Sequence, residues 1–276
     1  MIGAQPVLID FAASIFERGM YDAENGSALQ RDVSRRSIGS RLHRLTFGGN
    51  PVAVSNSTKF IDLLKRESRR PVVLVVGGGT IGSGADELYH DDSIELVGTD
   101  VYASPHTVLV ADAHRLPFDD GVFDGVWVQA VLEHVLEPAT VVAELHRVLR
   151  PEGLVYAETP FMQQVHEGPY DFTRFTQNGH RWLFRAFEPV DEGVIDGPSG
   201  ALRWAVRYFV AGLTRSRTAG AIAGASLFWL RFLDPLMDPR HASDGAGCLY
   251  FFGRKRDDGA ALTPHEAIAA YRGAQR

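Results

Sequence analysis

The stretch Val72-Val73-Leu74-Val75-Val76-Gly77-Gly78-Gly79-Thr80-Ile81-Gly82 carries the key to the fold. Five apolar, mostly β-branched residues in a row predict a strand covered on both faces, because a strand with one wet face would alternate. Glycines follow at once. They permit a sharp turn and a close approach of a ligand to backbone, and their spacing satisfies G-x-G-x-x-G. Upstream, Ser57 can cap a helix running to about Arg69, with Phe60, Ile61 and Leu64 on one face and Pro71 beyond its end. Downstream, strand candidates at residues 94–98, 107–111, 125–129, 154–158 and 190–195 mostly alternate with helical segments. The helix opening at Pro138 bears the stripe Val141, Val142, Leu145, Val148 and Leu149, and Pro151 and Gly153 stop it. This alternation predicts an α/β, doubly wound, mostly parallel sheet with helices on both faces.

Additions surround that core. Residues 57–256 form the main domain, preceded by a helical N-terminal extension at 1–56 and followed by a tail at 257–276. Within the extension, 7–16 has helical apolar spacing, 31–44 is Arg-rich, and Gly48-Gly49-Asn50-Pro51 reads as a turn. A helical insert at 198–246 precedes a last strand at 249–253. Its segment 219–230 is too apolar to lie free in water and too short for a bilayer, which takes about 20 residues. It is expected to bury against the core, a second subunit in a homodimer, or a lipid-like acceptor. Only scattered arginines flank it, so no stable membrane association is expected.

Composition narrows the class. Hydrophobic residues at 45% and charged residues at 22% allow a full core. The single cysteine, Cys248, excludes a disulfide framework and a Cys-rich zinc site. No secretory signal is read at the N-terminus, so a cytoplasmic protein is expected. The net charge of −6 conceals an asymmetry: residues 72–196 hold 6 Lys and Arg against 21 Asp and Glu. An acidic centre argues against a nucleic-acid groove, which needs clustered cations.

Asp100 ends the next strand, where a carboxylate can accept both hydroxyls of a ribose. Nicotinamide cofactors and S-adenosylmethionine share this much. The following segments separate them. Asp112-Ala113-His114-Arg115-Leu116-Pro117-Phe118 ends the third strand, Phe123-Asp124-Gly125-Val126-Trp127-Val128 opens the fourth, and Leu132-Glu133-His134-Val135 follows it. Glu144-Leu145, Arg147-Val148-Leu149, Pro151 and Gly153 complete the series.

The series resembles the class I S-adenosylmethionine-dependent methyltransferases, in their small-molecule branch, over roughly residues 59–196. The resemblance implies a Rossmann-like fold of seven strands whose antiparallel last strand fits residues 249–254, with S-adenosylmethionine as cofactor. It places Gly77, Gly78 and Gly79 on the loop beneath the methionine and ribose, and Asp100 on the ribose. It places Asp112 on the adenine amino group, Ala113 beside the ring, and Gln129 where the reacting methyl is presented. Two departures stand out. Val75 replaces a frequent acidic residue, and Ile81 replaces the third close glycine, which leaves Gly82 in question as a contact. A nicotinamide-dependent oxidoreductase would share the glycine loop and Asp100 but leaves Asp112-Ala113 unexplained. A binding protein without turnover is a third reading.

The loop Pro160–Thr176 begins as the fifth strand ends, the edge where ligands bind in open α/β sheets. It packs His166, Glu167, Asp171 and Arg174 among aromatic residues. Similar loops occur in bacterial methyltransferases of glycan pathways, which implies O-methylation of a small polar acceptor such as a sugar hydroxyl. A hydroxyl is a poor nucleophile at neutral pH, so a base is expected. His166 is the first candidate, with Asp171 to orient it, Arg174 to hold the acceptor and His134 as an alternative base. The rival arrangement pairs Asp171 with Arg174 and bonds His166 to backbone, as a structural network. His166, Glu167 and Asp171 could ligate a cation, but they share one short loop with no obvious partner elsewhere, so no metal is expected.

Overall fold

A computed structural model describes residues 5–21, 49–256 and 259–275; the Arg-rich stretch 31–44 lies outside them. The first long helix, α1 (Pro51–Glu67), starts six residues before Ser57. Asn50 caps it, its side-chain oxygen accepting from Ala53 N at 2.8 Å, and Pro51 occupies the first helical turn, where a missing N–H costs nothing. Ser57 is instead a buried mid-helix residue whose hydroxyl donates to the Val54 carbonyl at 3.0 Å. Phe60, Ile61 and Leu64 face the core, as their spacing predicts.

The chain continues through β1 (Val72–Val76), α2 (Asp86–His90), β2 (Glu95–Asp100), β3 (Leu109–Val110), β4 (Phe123–Gln129), α3 (Pro138–Val148) and β5 (Leu149–Pro160). It then forms α4 (Gln177–Leu183), β6 (Phe187–Asp196), α5 (Pro198–Thr214), α6 (Arg217–Ser226), α7 (Pro239–Asp244), β7 (Cys248–Lys255) and α8 (Pro264–Ala269). The strands make one 7-stranded sheet in the order β3-β2-β1-β4-β5-β7-β6. Strands β1 to β5 run parallel, and β7 lies antiparallel between β5 and β6. One face buries Leu74, Val76, Val126 and Val128 against Val141, Val142 and Leu145 of α3. The other buries Val73, Val75, Trp127 and Tyr156 against Phe60 and Leu64 of α1. Each large side chain so buried contributes about 1.5–3 kcal/mol, so the two layers hold the strand ends rigidly in register.

Residues 7–16 form no helix. Val7 makes a parallel bridge to Val110, Leu8 N donates to the Val110 carbonyl at 2.8 Å, and Val110 N donates to Pro6 O at 2.9 Å. β3 is an edge strand with unpaired backbone, and this pairing satisfies it. The apolar residues that space like a helix are used singly: Ile9 and Phe16 of a strap that crosses the sheet edge bury with Val110 and Tyr21.

The insert is helical. In α6, Gly220 and Gly224 are buried where it packs closely on α5. Its burial is one-sided, however: Phe209, Leu213, Ile222, Phe232 and Leu236 remain exposed. Among the described residues no helix is long and apolar enough to cross a membrane.

Candidate active site

The carboxyl ends of the parallel strands bring Gly77, Asp100, Asp112, Gln129 and Glu158 into one row, although they are spread over more than eighty residues of chain. Gly77 has φ +73°, and a Cβ there would stand 2.2 Å from Val131 Cγ2. Only glycine fits, by conformation and by space. Gly79 has a different reason: a Cβ would collide with the buried Tyr102 ring at 2.3 Å. The loop is held to the next strand, Gly78 N donating to Thr99 O at 2.9 Å and Gly79 N to Asp100 Oδ2 at 2.9 Å. Asp100 therefore ties the loop as well as forming the cleft wall, with its other oxygen accepting from Val101 N at 2.7 Å.

Two hollows meet at Val76, Gly77 and Ala130. The first encloses about 800 Å³ with its open mouth and is lined by Asp100, Asp112, Ala113, His134 and Tyr170, with Phe16 of the N-terminal strap closing one side. Phe16 stacks on Tyr170, ring centroids 6.1 Å apart. Asp112 is buried. Its Oδ1 accepts from His114 N at 3.0 Å and lies 2.6 Å from His114 Nδ1, while its Oδ2 accepts from Ser14 Oγ. Burial alone would raise the Asp112 carboxyl, but the bonds from His114 and Ser14 outweigh it and hold it below its ordinary value. Ser14 and Phe16 were not legible as site residues, because the strap's apolar spacing reads as a helix.

The second hollow holds Gln129, Glu158 and Asn50 beside Thr80 and Ser83. Gln129, at the end of β4, lines this second hollow and not the first. Its Nε2 donates to Glu158 Oε2 at 2.9 Å and to Ser83 O at 3.0 Å. Tyr156 donates to Glu158 at 2.6 Å and Asn50 Nδ2 donates at 3.1 Å. Burial pushes the Glu158 carboxyl up to about 7 in spite of these donors. Glu158 and Asn50 gave no sequence signal beyond a carboxylate at a strand end.

In the loop after β5, Asp171 and Arg174 form the structural network. The guanidinium has five N–H groups, and the loop takes all of them. Nε donates to Gln163 O at 2.8 Å, Nη1 to Thr173 O at 2.8 Å and to Asp171, and Nη2 to Gln164 O at 3.2 Å and Asp171 Oδ2 at 2.9 Å. Arg174 thus braces the loop and has no donor left for an acceptor molecule. Burial acts to raise Asp171, but the Arg174 bonds and His166 N at 2.8 Å bring it down to about 2.

His134 and His166 meet although 32 positions apart, ring centroids 4.9 Å from each other. His134 Nδ1 sits 2.8 Å from Tyr170 O, and His166 Nδ1 sits 3.4 Å from Asp171 Oδ2 and from Gln164 O. Both Nδ1 atoms face acceptors, which turns each Nε2 away from them. Each Nε2 points to Glu133 Oε1, at 3.6 Å from His134 and 3.7 Å from His166. Glu133 is fully buried, and neither carboxylate oxygen has a hydrogen-bond partner among the described residues. Burial pushes its carboxyl up to about 8 and the His134 imidazole below its usual value. Glu133 was visible only as part of Leu132-Glu133-His134-Val135. Glu167 and Asp171 do not join the cluster as ligands, contrary to the loop-only cation set.

Residues 40–157 match the family described as a methyltransferase domain. A demethylmenaquinone methyltransferase of Clavibacter sepedonicus is 38% identical over 165 residues, which cover 55% of this chain and 62% of that protein. An uncharacterized chloroplastic methyltransferase of Arabidopsis thaliana is 40% identical over 75 residues, 27% of this chain and 20% of its own length. The chain thus spans less than two thirds of these relatives. Among solved structures, the methyltransferase bound to the Haloferax volcanii activator Trm112 aligns with a TM-score of 0.49 at 19% identity, over 79% of this chain and 95% of that one. With the glycine loop between β1 and β2 and an antiparallel β7 in the sheet, the chain carries a methyltransferase-domain match over residues 40–157 and resembles the class I S-adenosylmethionine-dependent methyltransferases.

Proposed function

We propose that this chain transfers a methyl group from S-adenosylmethionine to a hydroxyl of a small polar, carbohydrate-like acceptor. The observation that carries the reading is the continuous cleft from Gly77, Asp100 and Asp112-Ala113 to His134. The cofactor fits the residues present: a Cβ at Gly77 would narrow the sill common to both hollows, and Asp100 and Asp112 supply carboxylates at the ends of successive strands. Gly77, Asp100, Asp112 and Ala113 would hold the adenosyl part, and Thr80, Gln129 and Glu158 line the hollow for the amino-acid part. When bound, the cofactor supplies a methyl group on a sulfonium centre that leaves as a neutral thioether.

The protein's own work is alignment and charge. The cleft walls are acidic, which favours a cationic cofactor and disfavours an anionic acceptor. This supports an uncharged, hydroxyl-bearing acceptor, positioned against Tyr170, Glu167 and His134. The strap with Phe16 narrows access by water. Glu133, His134 and His166 stand at the acceptor end, where a hydroxyl proton must be lost as the new bond forms.

A second reading, methylation of a demethylmenaquinone-like acceptor, is supported by the relative from Clavibacter and by the exposed apolar face of α5 and α6. Calorimetry with S-adenosylhomocysteine against NADH tests the cofactor. Micromolar binding of NADH with none of S-adenosylhomocysteine would refute the reading. Transfer of labelled methyl groups to a panel of polyols, sugars and short-chain quinones then selects the acceptor.

A further inference from the structure

We propose that Glu133, His134 and His166 form a binding site for one divalent transition cation at the acceptor end of the cleft. The ligand atoms of the three side chains lie within 4.8 Å of one another. Around a first-row cation with bonds of about 2.0–2.2 Å, neighbouring ligand atoms stand roughly 3.0–3.5 Å apart. The two distances to Glu133 Oε1, 3.6 and 3.7 Å, are close to that spacing before any cation draws the groups in.

Three further observations point to a cation rather than to a chance cluster. Both imidazoles present Nε2 because their Nδ1 atoms are engaged, His134 by the Tyr170 carbonyl and His166 by Asp171 and Gln164. Histidine ligands are commonly oriented in this way by a carbonyl or carboxylate behind them. Glu133 is buried with both oxygens unpartnered, an arrangement that leaves a desolvated acceptor in need of a positive charge. Arg174, the nearest guanidinium of the loop, has all its donors committed elsewhere. Lastly, the two halves are stitched together by backbone: Phe172 N and Thr173 N donate to the Glu133 carbonyl at 2.8 and 3.2 Å. The turn after β4 and the loop after β5 therefore hold the three groups as one unit.

Two imidazoles and one carboxylate favour cations of the zinc, cobalt and iron kind over magnesium or calcium, which prefer all-oxygen shells. Three protein ligands leave open positions, and His134 lines the cleft in which the acceptor is proposed to lie. This deepens the functional reading and rests on it: a hydroxyl oxygen seated on the open position has its pKa lowered. The hydroxyl proton passes to water at the open mouth of the cleft, the oxygen bonds to the methyl carbon as the carbon–sulfur bond breaks, and no free histidine base is required.

The test measures the metal alone. The full chain, freed of metal by a chelator, is titrated with Co²⁺ and followed by its visible absorption, then with Zn²⁺ in competition. One Co²⁺ per chain with imidazole-type bands, displaced by Zn²⁺, is expected. His166→Ala and Glu133→Gln should each weaken Co²⁺ by about 100-fold or more, and Asp171→Asn, which acts through His166, by about 10–100-fold. His166 lies on a partly exposed loop, so its variant is informative even if Glu133→Gln fails to fold. Binding of S-adenosylhomocysteine is measured on the same samples and should persist in His166→Ala, so loss of the metal site and loss of the cofactor reading are told apart. Absence of stoichiometric Co²⁺ and Zn²⁺ binding at millimolar metal, or wild-type affinity in His166→Ala, overturns the proposal.

Discussion

Replacement of Glu158 by Gln should stabilise the protein above neutral pH and leave it nearly unchanged in acid. Glu158 is only 4% exposed, and burial pushes its carboxyl from 4.5 up to about 7 against the hydrogen bonds from Tyr156, Gln129 and Asn50. The folded protein therefore keeps a proton that the unfolded chain releases above about 4.5. The stability tied to that proton is fully present below the unfolded value and is lost as pH rises through the folded one. At about 1.36 kcal/mol per pH unit, the loss amounts to about 3 kcal/mol between pH 4.5 and 7, and most of it falls between pH 5 and 8. A glutamine keeps the shape and carries no charge to desolvate. Urea unfolding followed by tryptophan fluorescence reads this directly, since Trp127 is buried and stacks on Tyr156 at 4.0 Å. The stability difference between Glu158→Gln and wild type should grow by about 2–3 kcal/mol from pH 5 to pH 8. Two parallel curves would show that Glu158 ionises normally and that the buried hydrogen-bonded cluster does not hold its proton.

Asp100→Ala removes both the tie to Gly79 N and a cleft carboxylate, so S-adenosylhomocysteine affinity should fall tenfold or more, about 1.5–3 kcal/mol for charge-assisted bonds, with the fold retained. Equal affinity in calorimetry would remove Asp100 from the site. Gly77→Ala forces a left-handed alanine at about 1–2 kcal/mol and a clash with Val131, and Val131→Ala should relieve the clash but not the conformational cost in paired unfolding measurements. Arg174→Ala strands buried Asp171 and should cost about 3–5 kcal/mol, with Arg174→Lys restoring little because five donors become three. A stability loss under 1 kcal/mol would mean the loop does not depend on its guanidinium. His166→Ala should lower turnover by about 10²–10⁴-fold while S-adenosylhomocysteine affinity holds, since the histidine lies apart from Gly77 and Asp100.

The run Val72–Val76 followed by glycines, the stripe on α3 and the Pro and Gly stops were readable in order along the chain. Strand and helix periods are local, and buried strands declare themselves by composition. Asp100 stands at the end of a strand, and the sheet delivers strand ends to one edge, whereas Asp112 and Ala113 were singled out only by the family resemblance. The start of α1 was not, because Asn50 and Ser57 are both competent caps, and the choice between them lies in which carbonyls and apolar faces meet the sheet.

What depended on tertiary structure were the contacts between distant segments. The strap 7–16 has the apolar spacing of a helix, yet an edge strand with open backbone groups draws it into a bridge. Gln129 could face either side of a strand end, and Glu158 on the neighbouring strand settled its direction. Arg174 could bind an acceptor or brace its own loop; three carbonyls and Asp171 converge on it and take every donor. Glu133 and His134 are adjacent in sequence, but their meeting with His166 follows from the parallel register of β4 and β5, which sets the turn after one strand beside the loop after the next. Residue types and strand ends are properties of the chain. Which lone pair faces which proton is a property of the packed sheet, because burial removes the water that would otherwise satisfy each group separately.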